Sequence, residues 1–155
     1  MTVMNKLLKP LLFSLLLGVV SCSENRLYEQ FHSFKDAPWA EGDSVFFDIS
    51  DVAGTEGQSL IAVKYNENYT YSNCYIRVVE RDSSKSVVQS KLLNVPIFDS
   101  KSGLPLGEGF GNSYTKYDTI PYQLSKATKE VILIQYMRQP ELIGIEAVGL
   151  KLLKP

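Results

Sequence analysis

The feature that most constrains this chain is a period-two alternation of apolar residues that returns from Val45 to Leu152. Val45, Phe47 and Ile49 fall on one side of an extended segment, with Phe46 and Asp48 on the other. Ile61, Val63 and Tyr65 alternate with Leu60, Ala62 and Lys64, and Cys74, Ile76 and Val78 alternate with Tyr75, Arg77 and Val79. Val148, Leu150 and Leu152 alternate in the same way with Ala147, Gly149 and Lys151. Successive side chains of a strand point to opposite faces, so this pattern predicts strands with one buried face. A mixed strand is expected from Val87 to Val95, and the unbroken apolar run Val131-Ile132-Leu133-Ile134 reads as another. Asp82–Lys85 and Asp99–Gly103 have turn compositions. Beyond the leader no segment sustains a helical period, and no repeat or low-complexity tract is visible. Short strands about a dozen residues apart bury best as two facing sheets. The expected fold is therefore all-β, a single β-sandwich of the jelly-roll kind.

The N-terminus has a different character. Lys6 and Lys9 precede the apolar stretch Leu11–Val20, followed by Ser21 and Cys22. Such a stretch rises about 15 Å as a helix, against a hydrocarbon core of about 30 Å, so it reads as a cleaved secretory signal and not a span. Val19-Val20-Ser21-Cys22 has the form of a bacterial lipobox. In that chemistry residues 1–21 are removed, the Cys22 thiol receives a diacylglycerol, and the freed amine is acylated. The competing reading is an ordinary signal peptide with an incidental cysteine at its boundary. Each buried CH₂ contributes about 0.8 kcal/mol, so several chains on one cysteine anchor firmly. The expected organisation is a leader at 1–21, a lipidated tether and docking segment at 22–40, and a sandwich at 41–155. Tyr28, Phe31, Phe34 and Trp39 are more aromatic side chains than a free linker needs. The anchor implies the cell envelope. Ser23 after the cysteine favours the outer membrane, and the weak acidity of Ser23-Glu24 favours its periplasmic face.

Charge and cysteine count exclude several functions. The leader holds two of the 16 basic residues and none of the 17 acidic ones, which leaves the mature chain mildly acidic. Nucleic acid needs a basic stripe, and anionic lipid heads attract a basic patch; neither is present. With Cys22 lipidated, Cys74 has no partner for an intramolecular disulfide. Its place inside an apolar alternation predicts a buried, inert thiol.

Catalytic partners are missing. His32 is the lone histidine, and it lies in the tether, so zinc ligation or a Ser–His pair lacks the other members. Asp43, Asp48 and Asp51 could in principle do glycosidic acid/base work, but they suit turns beside a strand equally well. The run Gly103–Gly111 is glycine-rich without the Lys-Ser or Lys-Thr of a phosphate loop, which fits a bulged or crossing connection between sheets. The expectation is no catalytic residue, no metal and no cofactor beyond lipid on Cys22. The most distinctive patch is Tyr65–Asn73. In an extended chain Tyr69, Tyr71 and Asn73 would project on one side, as a surface for sugar or protein. The alternative is a loop whose tyrosines pack over the end of the sandwich.

Several segments together resemble the gliding-motility lipoprotein GldH family of the Bacteroidetes. They are Tyr65-Asn66 with Tyr69-x-Tyr71-x-Asn73, Leu106-Gly107-Glu108-Gly109-Phe110-Gly111, and Gln135-Tyr136-Met137-Arg138 followed by Leu142-x-Gly144-Ile145-x-x-Val148-Gly149-Leu150. Trp39, Phe47-Asp48 and Cys22 fit the same picture, and the match is collinear over nearly the whole mature chain. Thr70 departs from it where the family often has Pro, and Cys74 where a larger apolar residue is commoner. The resemblance implies a non-catalytic envelope lipoprotein tied to gliding and its associated secretion machinery, with envelope proteins as partners. Related sequences in bacteria that do not glide extend this to secretion or envelope assembly. Arg138 is expected either to pair internally with Glu141 or Glu146, or to contact a partner. A membrane-tethered module binding carbohydrate or peptidoglycan through Tyr69, Tyr71 and Asn73 is the second reading.

Overall fold

The computed structural model describes residues 25–155, so the leader, the lipobox and Cys22 lie outside the described residues. The strands are β1 (Arg26–Ser33), β2 (Trp39–Ala40), β3 (Ser44–Asp48), β4 (Ser59–Asn66), β5 (Asn73–Arg81) and β6 (Val87–Pro96). They continue as β7 (Glu108–Phe110), β8 (Ser113–Thr119), β9 (Glu130–Gln135), β10 (Glu141–Leu142) and β11 (Ile145–Leu153). One antiparallel sheet has the order β1-β11-β4-β8-β7, the other β3-β9-β5-β6, and β2 with β10 forms a small clip. Setting aside the short β2, β7 and β10 leaves eight strands. In their own chain order one sheet runs first, eighth, third, sixth, and the other second, seventh, fourth, fifth. This interleaving is what two Greek keys wrapped into a jelly roll produce.

The alternation places its apolar set as expected. Phe47, Ile61, Val63, Cys74, Ile76, Val78, Leu150 and their neighbours meet in one core between the sheets. Full burial of each such side chain contributes roughly 1.5–3 kcal/mol. Strand β9 lies inside its sheet and is apolar on both sides. Val131 and Leu133 enter the core, while Ile132 faces outward and is still buried, in register between Phe46 and Val79.

On the outer face of the five-stranded sheet a single cross-strand row runs Phe31, Gly149, Ala62, Tyr117. The two rings on the flanking strands lean over small residues on the central ones and meet edge-on at 6.5 Å. A Cβ on Gly149 would come within 2.9 Å of both the Phe31 ring and the Gln30 carbonyl.

Strand pairing corrects the expected boundary after residue 40. β1 pairs along its length with β11, and Trp39 is fully buried, stacked on Phe34 at 5.3 Å. Residues 26–40 are part of the sandwich, not a segment docked onto it. The aromatic residues signalled contact, but the backbone partners of β1, from Leu153 opposite Arg26 to Ala147 opposite Ser33, lie at the far end of the sequence, beyond any local pattern.

The antiparallel register gives the sandwich two distinct ends. Asn25, the turns at 49–58, 82–86 and 120–129, and the C-terminus share one end, where the Lys154 N–H donates to the Asn25 carbonyl at 2.6 Å. The connections at 34–43, 67–72, 111–112 and 136–144 gather at the other.

Candidate functional site

Most of the motif segments meet at the end opposite Asn25. The Asn66–Asn73 loop closes on the turn before β11. The Asn66 N–H donates to the Gly144 carbonyl at 2.9 Å, and the Tyr69 N–H to the Asn66 carbonyl at 3.1 Å. Gly144 sits at φ +89°, and a Cβ there would lie 2.2 Å from the Tyr69 nitrogen, so the two segments fit together only through a glycine. The Asn66 amide also donates to Glu146 Oε1 at 3.0 Å, while the Ser113 hydroxyl donates to Oε2 at 2.7 Å. These two hydrogen bonds, Ser113 foremost, with Lys64 at 3.7 Å, hold the Glu146 carboxyl below the ordinary glutamate range. Glu146 lines a cleft of about 510 Å³ together with Asn66, Lys64, Phe34 and Ile143.

The tyrosines do not form the one-sided surface that an extended chain would give. The chain turns at Glu67-Asn68, and Tyr69 is only 2% exposed, its hydroxyl donating to the Asn73 carbonyl at 2.7 Å. Tyr71 is half-buried edge-on against it at 5.6 Å, and Asn73 donates its amide to Asn94 at 2.6 Å. Tyr65 is fully buried beside them and stacks on Tyr114. Its hydroxyl reaches the carbonyls of Ile97 and Leu106, clamping both ends of the crossing connection. The glycine-rich run thus carries the chain from β6 to β7, as its composition suggested. Burial pushes the Tyr65 and Tyr69 hydroxyls above the usual phenol range.

Arg138 lies apart from this cluster. Gln135 is buried and grips the following turn with both ends of its amide, donating to the Gln139 carbonyl at 2.8 Å and accepting from the Met137 N–H at 2.9 Å. Within that turn Arg138 adopts φ +56°, a left-handed conformation uncommon for a non-glycine residue. Its side chain is exposed and makes no hydrogen bond or ion pair among the described residues, so neither Glu141 nor Glu146 takes it. Two residues before Arg138 is Tyr136, exposed, with the Arg77 guanidinium 4.5 Å above its ring, and Ile143 is exposed in the turn before β11. At the tip of the β7–β8 hairpin Phe110 is 97% exposed. Nothing in the alternation marks Phe110 or Ile143, since β7 and β10 are too short to show a period.

The remaining candidates resolve into structural roles. Asp48 accepts from the Ser50 N–H and hydroxyl and closes a turn. His32 is exposed on β1, edge-on to Phe34. Cys74 is fully buried, and burial pushes its thiol up to about 12. Sequence reading missed Glu80, which points into the core end of β5 and is fully buried. It accepts from the Thr128 hydroxyl at 2.6 Å, the Ser125 N–H at 2.8 Å and the Gln89 amide at 3.1 Å. Gln89 is on the neighbouring strand β6, but Ser125 and Thr128 lie on a distant loop, so no local signal announced it. Among the described residues no group of three or more His, Cys, Asp or Glu could hold a metal ion, and no helix is long and apolar enough to cross a membrane.

These features define a jelly-roll sandwich whose loop-rich end is closed by tyrosines and offers exposed Phe, Tyr and Arg side chains. The chain belongs to the GldH lipoprotein family, whose model matches residues 26–152. No curated protein matches it. Among solved structures it is similar to the coat protein of tobacco streak virus, at 8% identity over 82% of this chain and 87% of that one. The TM-score is 0.26, too low to bear on fold or function.

Proposed function

We propose that this protein is a non-catalytic cell-envelope lipoprotein, acylated at Cys22, whose loop-rich end binds a protein of the gliding-motility apparatus or its associated secretion machinery. Family membership and the leader support the setting. The observation that carries the binding role is Arg138, exposed, unpaired among the described residues, and held in a left-handed turn by buried Gln135. Backbone strain of about 1–3 kcal/mol persists where surrounding structure enforces it, and such positions cluster at functional sites. Tyr136, two residues before Arg138, and Phe110, exposed at the same end of the sandwich, are of types enriched at interface anchors. The Ser23-Glu24 sequence supports attachment to the outer membrane with the domain in the periplasm.

The carbohydrate reading loses its main support, because buried Tyr69 offers no ring face to a sugar and Tyr71 packs against it. Crosslinking and pull-down of the natively lipidated protein tests the choice, with Cys22→Ser and Arg138→Ala beside it. Motility or secretion proteins recovered with the native form, and reduced at least several-fold by Arg138→Ala, are the expected result. Recovery of glycan or peptidoglycan without stoichiometric protein would overturn it.

A further inference from the structure

If Cys22 carries the lipid, the chain leaves little room between membrane and fold. Only Ser23 and Glu24 separate Cys22 from Asn25, and Asn25 is already fixed. Its carbonyl accepts from Lys154 at 2.6 Å, and the next residue, Arg26, lies opposite Leu153 in the β1–β11 ladder. A fully extended chain spans at most about 3.6 Å per residue, so Asn25 stays within roughly 11 Å of the acylated cysteine. From this we infer that the end of the sandwich built by Asn25, the turns at 49–58, 82–86 and 120–129, and the C-terminus rests on the lipid headgroup layer. The inference rests on the acylation of Cys22 proposed above.

The chemistry of that end suits a surface held there by its tether. It is polar and charge-balanced: Lys126 pairs with Glu56 at 3.4 Å, and Lys85 with Glu130 at 2.8 Å. Surface pairs of this kind leave no net basic patch to draw in anionic lipid. Contact should therefore depend on tether length and hardly at all on the anionic lipid content or on salt. The opposite end, with Phe110, Tyr136 and Arg138, is one eight-residue strand further out. At about 3.3 Å per residue it stands roughly 26 Å above the headgroups. A partner that binds there must present its surface in that layer.

The test uses the full lipidated protein reconstituted in vesicles whose headgroups carry a short-range quencher. Fluorophores are attached through Lys126→Cys or Glu56→Cys at the tethered end, and through Asn112→Cys or Glu67→Cys at the other; all four positions are exposed. Cys74 is buried and will not compete for label. Emission from the first pair should be strongly quenched and that from the second little changed, in neutral and anionic vesicles alike. A flexible spacer of about 20 residues inserted between Glu24 and Asn25, with a root-mean-square span of roughly 25 Å, should abolish the difference. Equal quenching at both ends, or an asymmetry that survives the spacer, overturns the inference. Mass analysis of the N-terminal peptide separates this from failure of the acylation itself. An unmodified Cys22 sinks the lipoprotein reading, whereas acylated protein without asymmetric quenching sinks only the orientation.

Discussion

The tyrosines of the Tyr65–Asn73 segment show how one spacing supports two structures. Residues two apart share a side only while the chain stays extended, and here the Asx turn of Asn66 onto the Asn68 N–H at 3.0 Å breaks the strand. Tyr69 then falls inward to cap the core, so its replacement by Ala would report on stability before it reported on any ligand. Arg138 is the opposite case. Its identity was legible, but its left-handed backbone depends on Gln135 and could not be read from residue type. Cys74 allows a sharp prediction. Burial raises its pKa from 9.0 to about 12, so the neutral thiol is favoured in the folded state. The stabilisation this linkage provides is complete below pH 9 and is lost as the pH rises toward 12. Thermal unfolding followed by circular dichroism should show a falling midpoint above pH 9. Cys74→Ala should start lower, through its cavity, but lose less between pH 9 and 10, before the buried tyrosines join the titration. In the native protein the thiol should resist alkylation at pH 8 and react only on unfolding.

At the scale of strands, the row Phe31-Gly149-Ala62-Tyr117 binds four strands of one sheet through a face that the alternation left unassigned. Gly149→Val would drive two methyl groups into the Phe31 ring and the Gln30 carbonyl, and β1, held at the sheet edge, would have to shift. The expected cost is about 1–3 kcal/mol, read as a lower urea midpoint, with β1 amides losing hydrogen-exchange protection first. An added Gly149→Ala variant should lie between the two. The long inward-facing strands were legible because each carries three or more alternating apolar residues, as in Ile61-x-Val63-x-Tyr65. β1 was not. Its side chains Glu29, His32 and Ser33 look like linker, and its place comes from hydrogen bonding to β11. The candidate site was half legible for the same reason. Its tyrosines, amides and Arg138 stood out as motifs, whereas Phe110, Ile143 and Glu146 acquire meaning only when distant turns are brought together.

For the whole molecule, the two proposed tasks fall at opposite ends of the sandwich. One end, at Asn25, is where the chain would arrive from the proposed anchor, and the other carries exposed Phe110, Tyr136 and Arg138. The proposed attachment and the proposed contact surface therefore make independent demands on sequence. Substitutions at Lys126 or Glu56 should leave partner recovery unchanged, while those at Arg138 should leave membrane association unchanged. The pairing of β1 with β11 also sets an order of events. The first strand of the sandwich to be synthesised finds its neighbour only when the last one exists, and contacts of such sequence separation form slowly because a long loop must close first. A chain still being made thus keeps the β1 segment open until β11 has arrived. Only then can the sheet close over its first strand, so the pairing registers that β11 is present before the fold settles.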